Sequence, residues 1–287
     1  MRNNGSLSRE VLGVPVRCRG YARRVLLLIT LAAFAAQGVL LPRVAFAEDA
    51  GPRWFTLSPR IWLAQTDTPD TPTIFRETYF VPSFGAALTI TPPMLEGFSV
   101  LLVGLYGVGG GNARFNPSII NSGMLLDADV ERLDLEGLLI YQLPNLPVNV
   151  FIGSRYVLLE EKLKGKNATT SVSYYVDNEI AIVKAGLGAS GGLTEDGNHR
   201  LFGNISAGVG FAKTNVHFPI APGLQFRVEI NETNPTLDMN VGYDYSFWNS
   251  LGLQVRYRTS LVFFDDAIGQ KATDITHGPE LSLSVSW

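Results

Sequence analysis

The chain has 287 residues, of which 46% are hydrophobic, and its 23 Lys and Arg against 26 Asp and Glu give a formal net charge of −3. A chain without a basic excess is unlike a nucleic-acid-binding protein, which needs a basic surface. The single cysteine, Cys18, lies before the first long apolar run, so we expect no disulfide, no thiolate metal site and no lipoprotein attachment in the rest of the chain.

The first element is typical of a secretory signal. A basic region from Arg17 to Arg24 leads into an apolar run from Val25 to Leu41, and the small-x-small sequence Ala45-Phe46-Ala47 follows. We therefore expect residues 1–47 to be removed and residues 48–287 to form one domain. The leader holds seven of the basic residues and one of the acidic ones, which leaves 16 and 25 in the remainder and a net charge of −9. The alternative is a single transmembrane anchor, because 17 apolar residues are near the lower limit for crossing a bilayer.

After the leader, apolar residues recur with the period of two that is typical of β-strands, and no stretch is long and apolar enough for a membrane helix. From Leu237 to Phe247, for example, large apolar residues alternate with Asp, Asn, Gly and Ser. We predict ten strands, with eight or twelve as the alternatives. The approximate spans are 53–65, 78–90, 98–108, 128–143, 148–160, 176–190, 200–213, 235–247, 250–263 and 276–287.

The lengths of the strands and of their connections favour a transmembrane barrel over a soluble β-sandwich. The predicted strands have eleven to sixteen residues, whereas soluble strands average about five or six and roughly nine to eleven cross a bilayer. Short connections alternate with long ones, as in outer-membrane barrels with short periplasmic turns and long outer loops. We therefore predict an all-β, antiparallel up-and-down barrel in a bacterial outer membrane, with an even number of strands. The long loops are predicted at 66–77, 109–127, 161–175, 214–234 and 264–275.

Aromatic residues cluster near both ends of the predicted strands. Membrane–water interfaces favour such belts, because an aromatic side chain can combine an apolar ring with a polar group. The predicted periplasmic belt contains Trp54, Phe98, Tyr141, Phe247, Trp248 and Trp287, and the predicted outer belt contains Tyr79, Tyr106, Tyr174, Phe211, Phe263 and Phe264.

Two segments do not fit this scheme directly. Gly223 to Asn231 could be an eleventh strand, but we prefer an extension of the eighth strand, bent at Asn234-Pro235, because an odd number would put the C-terminus outside. Gly107 to Phe115 is rich in glycine and is predicted as a flexible outer loop, since no helix follows that would make it a phosphate cradle.

The chain ends on ELSLSVSW, in which Leu281, Leu283 and Val285 are predicted to point outwards and Trp287 is the last residue. This ending resembles the closing strand of bacterial outer-membrane β-barrel proteins. The resemblance implies that the last strand is read by the barrel-assembly machinery. The physical reason for closure is independent of the family, because a sheet in hydrocarbon must leave no unpaired edge.

Charged residues on the polar side of the strands are predicted to face the lumen. One interpretation is a selective pore with a charged constriction, for which Arg60, Arg256 and Arg258 are the main candidates. The other is a plug or very narrow pore, which we favour because barrels of about eight strands are filled by side chains and open channels appear at about sixteen. The lumen candidates are Arg60, Arg132, Asp134, Glu136, Arg155, Asp238, Asp244, Arg256, Arg258 and Glu280.

An enzymatic function is the least favoured interpretation. The chain resembles the omptin family of ten-stranded proteases in strand number and in the outer position of Asp127, Asp129 and His217. It departs from the family at Asn215, where an Asp would orient the histidine as a base. The three histidines of the chain form no predicted metal site, and we expect no cofactor.

We therefore predict a non-enzymatic outer-membrane barrel, either a narrow pore or a structural or surface-binding barrel, with a porin-like solute channel and an omptin-like protease as alternatives. We expect a monomer in contact with lipid and lipopolysaccharide. A small solute in the lumen or a loop-bound ligand is a candidate partner, and loop 214–234 would either touch such a ligand or fold as a lid over the barrel mouth.

Overall fold

The computed structural model describes residues 54–67, 75–115, 125–166, 171–221, 224–248, 250–265 and 271–287, so the predicted leader lies outside the described residues. These residues form strands and turns, and no helix among them could span a membrane. The strands are β1 (Phe55–Asp67), β2 (Phe75–Ile90), β3 (Phe98–Phe115), β4 (Leu125–Gln142), β5 (Val148–Lys166), β6 (Ser171–Gly192), β7 (His199–Ala221), β8 (Leu224–Trp248), β9 (Leu251–Asp265) and β10 (Lys271–Ser286).

Each strand pairs antiparallel with its neighbours in the chain, and β1 pairs with β10, so the sheet is a closed up-and-down barrel. The closing ladder runs from Thr56 opposite Ser286 to Asp67 opposite Ile275. The backbone N–H and C=O of Trp287 both bond to Phe55. We call the end that carries Trp54, Trp287 and the short turns the turn end, and the opposite end the loop end. The predicted fold class, with ten strands, is confirmed.

Alternation along the strands separates an apolar outside from a mixed inside. In β1, Ile61 and Leu63 are 40% and 41% exposed, whereas Arg60, Trp62 and Ala64 are buried. The same contrast recurs around the barrel and produces an apolar outer band, as hydrocarbon requires. Members of this band include Phe84, Leu102, Leu139, Ile152, Val183, Leu187, Ile205, Val209, Val241, Val255 and Leu281.

The predicted outward set of the last strand is only partly exposed. Leu281 and Leu283 are exposed by 46% and 38%, but Val285 is 3% exposed. Val285 has the same parity as the two leucines, and its Cα lies opposite Leu57 and Leu251 in the ladders, so it is covered at the turn end, where β1 and β9 flank β10.

Near the loop end, the outer face becomes charged. On β7, exposed Phe211 is followed on the same face by Lys213, whose ammonium is 3.3 Å from Glu229 of β8. On β4 and β5, exposed Asp129 and Lys164 form an ion pair of 2.5 Å. Such residues are expensive in hydrocarbon, so this part of the barrel lies beyond the apolar band.

The strands extend further towards the loop end than the sequence predicted. The glycine-rich segment 107–115 belongs to β3 and pairs with both β2 and β4, so the loop prediction was wrong. A Cβ atom at Gly109 would overlap the carbonyl oxygen of Phe80 on β2. Glycine here therefore allows a close approach of two strands, and its presence does not indicate a loop.

The β7–β8 hairpin confirms the predicted extension of the eighth strand and contradicts the predicted long loop at 214–234. β7 and β8 remain paired from His199 opposite Tyr245 to Ala221 opposite Leu224, so most of the segment 214–234 is strand. Pairing with β7 continues through Asn234 and Pro235, where the sequence predicted a bend. On its other side, β8 pairs with β9 only from Thr236 onwards. Pro235 is therefore at an edge, where its missing N–H costs no ladder bond.

The outer aromatic belt was partly misassigned. Phe211 and Phe263 are exposed on the outside as predicted, but Tyr79 is 4% exposed and its hydroxyl donates to buried Glu161. Tyr174 packs against the interior apolar cluster, and Phe264 lines an interior cavity. The sequence prediction used position along the strand alone, whereas the parity of these residues turns them inwards. At the turn end, Trp54, Phe98, Trp248 and Trp287 are exposed as predicted.

Candidate functional site: a charged layer across the lumen

About half-way along the barrel, charged side chains from seven strands meet in the lumen. Each belongs to the inward face of its strand, because the period of two that exposes the apolar residues turns its polar neighbours inside. Six are cationic and four are anionic. We call this set the charged layer, and it comprises Arg60, Arg132, Asp134, Glu136, Arg155, Lys184, Asp238, Arg256, Arg258 and Glu280.

Arg155 is the most connected member of the layer. Its guanidinium donates to both carboxylate oxygens of Asp134, with N–O distances of 2.9 and 2.6 Å. Its third nitrogen, Nη1, donates to Asp238 at 3.1 Å and to the Ser260 hydroxyl at 2.9 Å. Arg155 and Asp134 are both 2% exposed, so this bidentate pair is shielded from bulk water.

Lys184 joins two further carboxylates. Its ammonium lies 2.5 Å from Glu136 and 2.6 Å from Asp238, and its side chain is 4% exposed. Glu136 also accepts from Arg258 at 3.5 Å. These contacts connect β4, β6, β8 and β9 across the lumen.

Glu280 of β10 holds the guanidinium groups of Arg60 and Arg256. The distances are 3.2 Å to Arg60 and 2.7 Å to Arg256. Glu280 is 2% exposed, and one carboxylate therefore serves two arginines in a buried position.

Trp62 fills the space between two further arginines. The guanidinium carbons of Arg132 and Arg258 lie 4.9 and 5.0 Å from the centre of the indole, and Trp62 is fully buried. Such cation–π contacts are strongest when desolvated, and here they place a flat ring among the charges. The lumen at this level is filled by packed side chains.

The structure brings nine of the ten predicted lumen residues together in the charged layer. The exception is Asp244, which lies on the same face of β8 nearer the turn end, opposite Arg200 of β7 and Gln254 of β9. No hydrogen bond or ion pair between described residues joins Asp244 to the layer.

Sequence reasoning missed Lys184 and Trp62. Lys184 was the only charge in the middle of an otherwise apolar strand, which is a signal that it must turn inwards in a membrane barrel. Trp62 shares the parity of Arg60, so the same rule places it in the lumen. Its contact with two arginines from other strands could not be predicted without the barrel register.

The charged layer separates two cavities whose lining residues do not overlap. The loop-end cavity has a volume of about 240 Å³ and the turn-end cavity about 150 Å³. Arg132 and Arg155 border the first, whereas Arg60, Lys184 and Arg258 border the second. The layer is thus a septum with a chamber on each side.

The loop-end cavity has an apolar wall inside the barrel. Outer-membrane barrels ordinarily have polar interiors. Here Ile180 and Ile182 of β6 and Val157 of β5 line the space, and Arg132 and Thr276 lie on the polar side of it. A chamber of this composition can accommodate a small molecule with an apolar body and a polar group.

The residues considered for proteolysis do not share a site. Asp127 and Asp129 lie on the outer face of β4, and the nearest charge to Asp129 is the Lys164 ammonium. His217 contacts Asp177, with an N–O distance of 3.9 Å, and Asn215 instead accepts two hydrogen bonds from Arg227. His217 is three strands from Asp129 in the aligned ladders, a separation of about 14 Å. Within the described part of the chain, no group of three or more His, Cys, Asp and Glu could hold a metal ion.

Comparison with solved structures gives the fold a wider context. The translocator domain of the autotransporter NalP from Neisseria meningitidis is similar over 94% of this chain and 99% of its own, with 9% identity and a TM-score of 0.52. The outer membrane protease OmpT from Escherichia coli is similar over 83% of this chain and 99% of its own, with 11% identity and a TM-score of 0.54. No family model and no curated protein matches the sequence. These likenesses show the fold alone, which together with the apolar outer band supports the predicted location: the chain is a β-barrel of the bacterial outer-membrane type.

Proposed function

We propose that this protein is a non-enzymatic outer-membrane barrel whose lumen is closed to solute flow by the charged layer, and which acts as a binding barrel at the membrane surface. The observation that carries the proposal is the buried septum, with its ion pairs and Trp62, between two cavities that have no lining residue in common. A solute that crossed the barrel would have to separate these pairs.

Opening the septum is costly because its charges are shielded from water. Breaking a buried ion pair by removing one partner typically costs about 3–5 kcal/mol, since the remaining charge is left uncompensated. Asp134 and Asp238 are each held by more than one cation, so displacing a single side chain does not clear a path.

Planar-bilayer conductance of the refolded barrel tests the closed lumen. We expect the wild-type protein to be silent in symmetric salt. The double variant Asp134→Ala/Arg155→Ala removes the most connected pair together and should produce discrete conductance steps. Lys164→Ala/Asp129→Ala, which removes an exposed ion pair of the outer face, is the matched control and should remain silent. Steps with an ion preference from the wild-type protein would contradict the proposal and favour the solute-channel alternative.

The loop-end cavity is the candidate binding site of this barrel. Its apolar wall supports binding of a small apolar or amphipathic molecule, because a lumen that only sealed the membrane would not need one. We expect the neutral fluorescent dye 1-N-phenylnaphthylamine to bind with saturation. Ile182→Ser should weaken this binding, whereas Val183→Ser, which changes a lipid-facing neighbour that is 56% exposed, should leave it unchanged. Equal binding by both variants would place the dye on the outer surface and contradict the assignment.

Absence of enzymatic activity is also part of the proposal. The separation of His217 from Asp129 and their position on the outer face support it, since a general base must reach the water that it activates. Removal of residues 1–47, the monomeric state, contact with lipopolysaccharide and recognition of the last strand by the barrel-assembly machinery belong to the same proposal.

A further inference from the structure

The turn-end cavity contains arginine N–H groups that lack protein partners. The Nε atoms of Arg60 and Arg256 and the Nη1 atom of Arg258 are buried and donate to no acceptor among the described residues. All three arginines line this one cavity. Buried polar groups are nearly always hydrogen-bonded, and a charged donor without a partner is especially costly.

The charges around the cavity do not balance. Four cations line it, namely Arg60, Lys184, Arg256 and Arg258, against the two carboxylates of Glu136 and Asp238. The whole charged layer has the same excess of two positive charges, because its six cations face four carboxylates. Among the other inward carboxylates, Glu161 and Asp274 border the loop-end cavity on the other side of the septum, and Asp244 lies nearer the turn end, opposite Arg200.

We propose that the turn-end cavity binds a small oxyanion, such as phosphate or a carboxylate, between Arg60, Arg256 and Arg258. An oxyanion supplies acceptor oxygens for the three unpartnered donors and offsets the excess positive charge. Guanidinium groups suit this ligand chemistry, because their planar N–H groups match the oxygens of phosphate and carboxylate.

The size and position of the cavity agree with this ligand. A volume of about 150 Å³ exceeds what one water molecule needs. Water could complete the three donors but could not neutralise the charge. The cavity also borders Ile140 and Asn149, which lie within three residues of the turn-end limits of β4 and β5, so an ion would enter from that end. The proposal does not depend on the closed lumen, because a conducting barrel could hold the same ion.

Isothermal titration calorimetry of inorganic phosphate into the detergent-solubilised protein tests the site at constant ionic strength. We expect saturable binding of one phosphate per barrel. Arg258→Gln should increase the Kd by about 30-fold or more, since it removes one buried charged donor. Lys164→Gln is the control, because it removes a cation of the outer face that lies outside the charged layer. Its Kd should stay within roughly threefold of wild type.

A second variant keeps the test decisive if Arg258→Gln does not fold. Asn240 lines the turn-end cavity, and its Cα lies opposite Arg258 in the β8–β9 ladder. Asn240→Asp keeps the oxygen that accepts from Asn204 and places a carboxylate beside the arginines. This variant should fold, unfold at a temperature no lower than wild type without phosphate, and bind no phosphate.

Two results would overturn the proposal. One is an absence of saturable phosphate binding by the wild-type protein, which would mean that water alone completes the donors. The other is binding to Asn240→Asp with the wild-type Kd, which would place the phosphate outside the cavity.

Discussion

Replacement of Arg155 by methionine tests the energetic role of the charged layer most directly. The change removes four hydrogen bonds, two of them to Asp134, one to Asp238 and one to Ser260. Asp238 keeps the Lys184 ammonium at 2.6 Å, whereas Asp134 keeps only a longer contact of 3.4 Å with Arg132. One buried carboxylate is thus left largely uncompensated, and we expect the free energy of unfolding to fall by about 3–5 kcal/mol.

The assay is equilibrium unfolding in urea, followed by tryptophan fluorescence in detergent micelles. Two further variants serve as comparisons for this result. Arg155→Met/Asp134→Leu removes both charges and should recover most of the loss, because an apolar pair of similar volume is often as stable as a buried ion pair. Lys164→Met removes an equally short but exposed ion pair and should have no resolvable effect. A loss for Arg155→Met no larger than that for Lys164→Met would refute the claim that water is excluded from the layer.

Three other predictions concern the outer face and the turn end. Ala207→Arg, near the middle of the apolar band on β7, should destabilise the folded barrel by about 2–4 kcal/mol in lipid bilayers. The control Thr233→Arg lies beyond the band and should leave the stability unchanged. Equal urea midpoints for the two variants would contradict the assigned band. The Thr194 hydroxyl and the Asn198 backbone N–H donate to Asp196 in the β6–β7 turn and lower its pKa, so Thr194→Val should raise the pKa measured from the carboxyl ¹³C resonance. The stabilisation of this turn by the ionised Asp196 carboxylate should be fully present above the unfolded pKa and be lost as the pH falls through the lowered folded pKa. An unchanged pKa of Asp196 in the variant would refute the claim that the Thr194 hydroxyl lowers it. Trp287→Ala should reduce the amount of heat-modifiable barrel assembled in the outer membrane more than Trp248→Ala does. Trp248→Ala is the control, because it removes an interfacial ring outside the last strand. Equal amounts of assembled barrel for the two variants would argue against an assembly signal in the last strand.

The features that were predictable from the sequence are those governed by local periodicity. Alternation identified ten strands and placed Arg60, Asp134 and Glu280 in the lumen, because hydrocarbon outside the barrel leaves a charged residue in mid-strand only one direction. Strand ends were less predictable. The glycines of β3 are typical of loops, and only the close approach of Gly109 to β2 explains their place in a strand.

The arrangement within the charged layer was not predictable, because it depends on register between strands far apart in sequence. Arg155 and Asp238 are 83 residues apart, and Arg60 and Glu280 are 220 apart. The odd or even position of a residue along its strand predicts that it faces inwards. It does not predict the level along the barrel axis at which side chains from different strands meet. For the same reason, the imbalance of charge around the turn-end cavity emerges only from the assembled barrel.

β8 is paired with β7 along nearly its whole length but with β9 along only part of it, and this difference limits where the membrane can end. In hydrocarbon, each backbone N–H and C=O needs a partner within the protein, so a strand can lose a neighbour only where water replaces it. β8 leaves β9 above Thr236, and at nearly the same height the outer face of β7 changes from Phe211 to Lys213. The backbone and the side chains thus independently mark the same membrane boundary. Above it, β8 has one free edge that water can solvate, while β7 remains paired with β6 as far as His217.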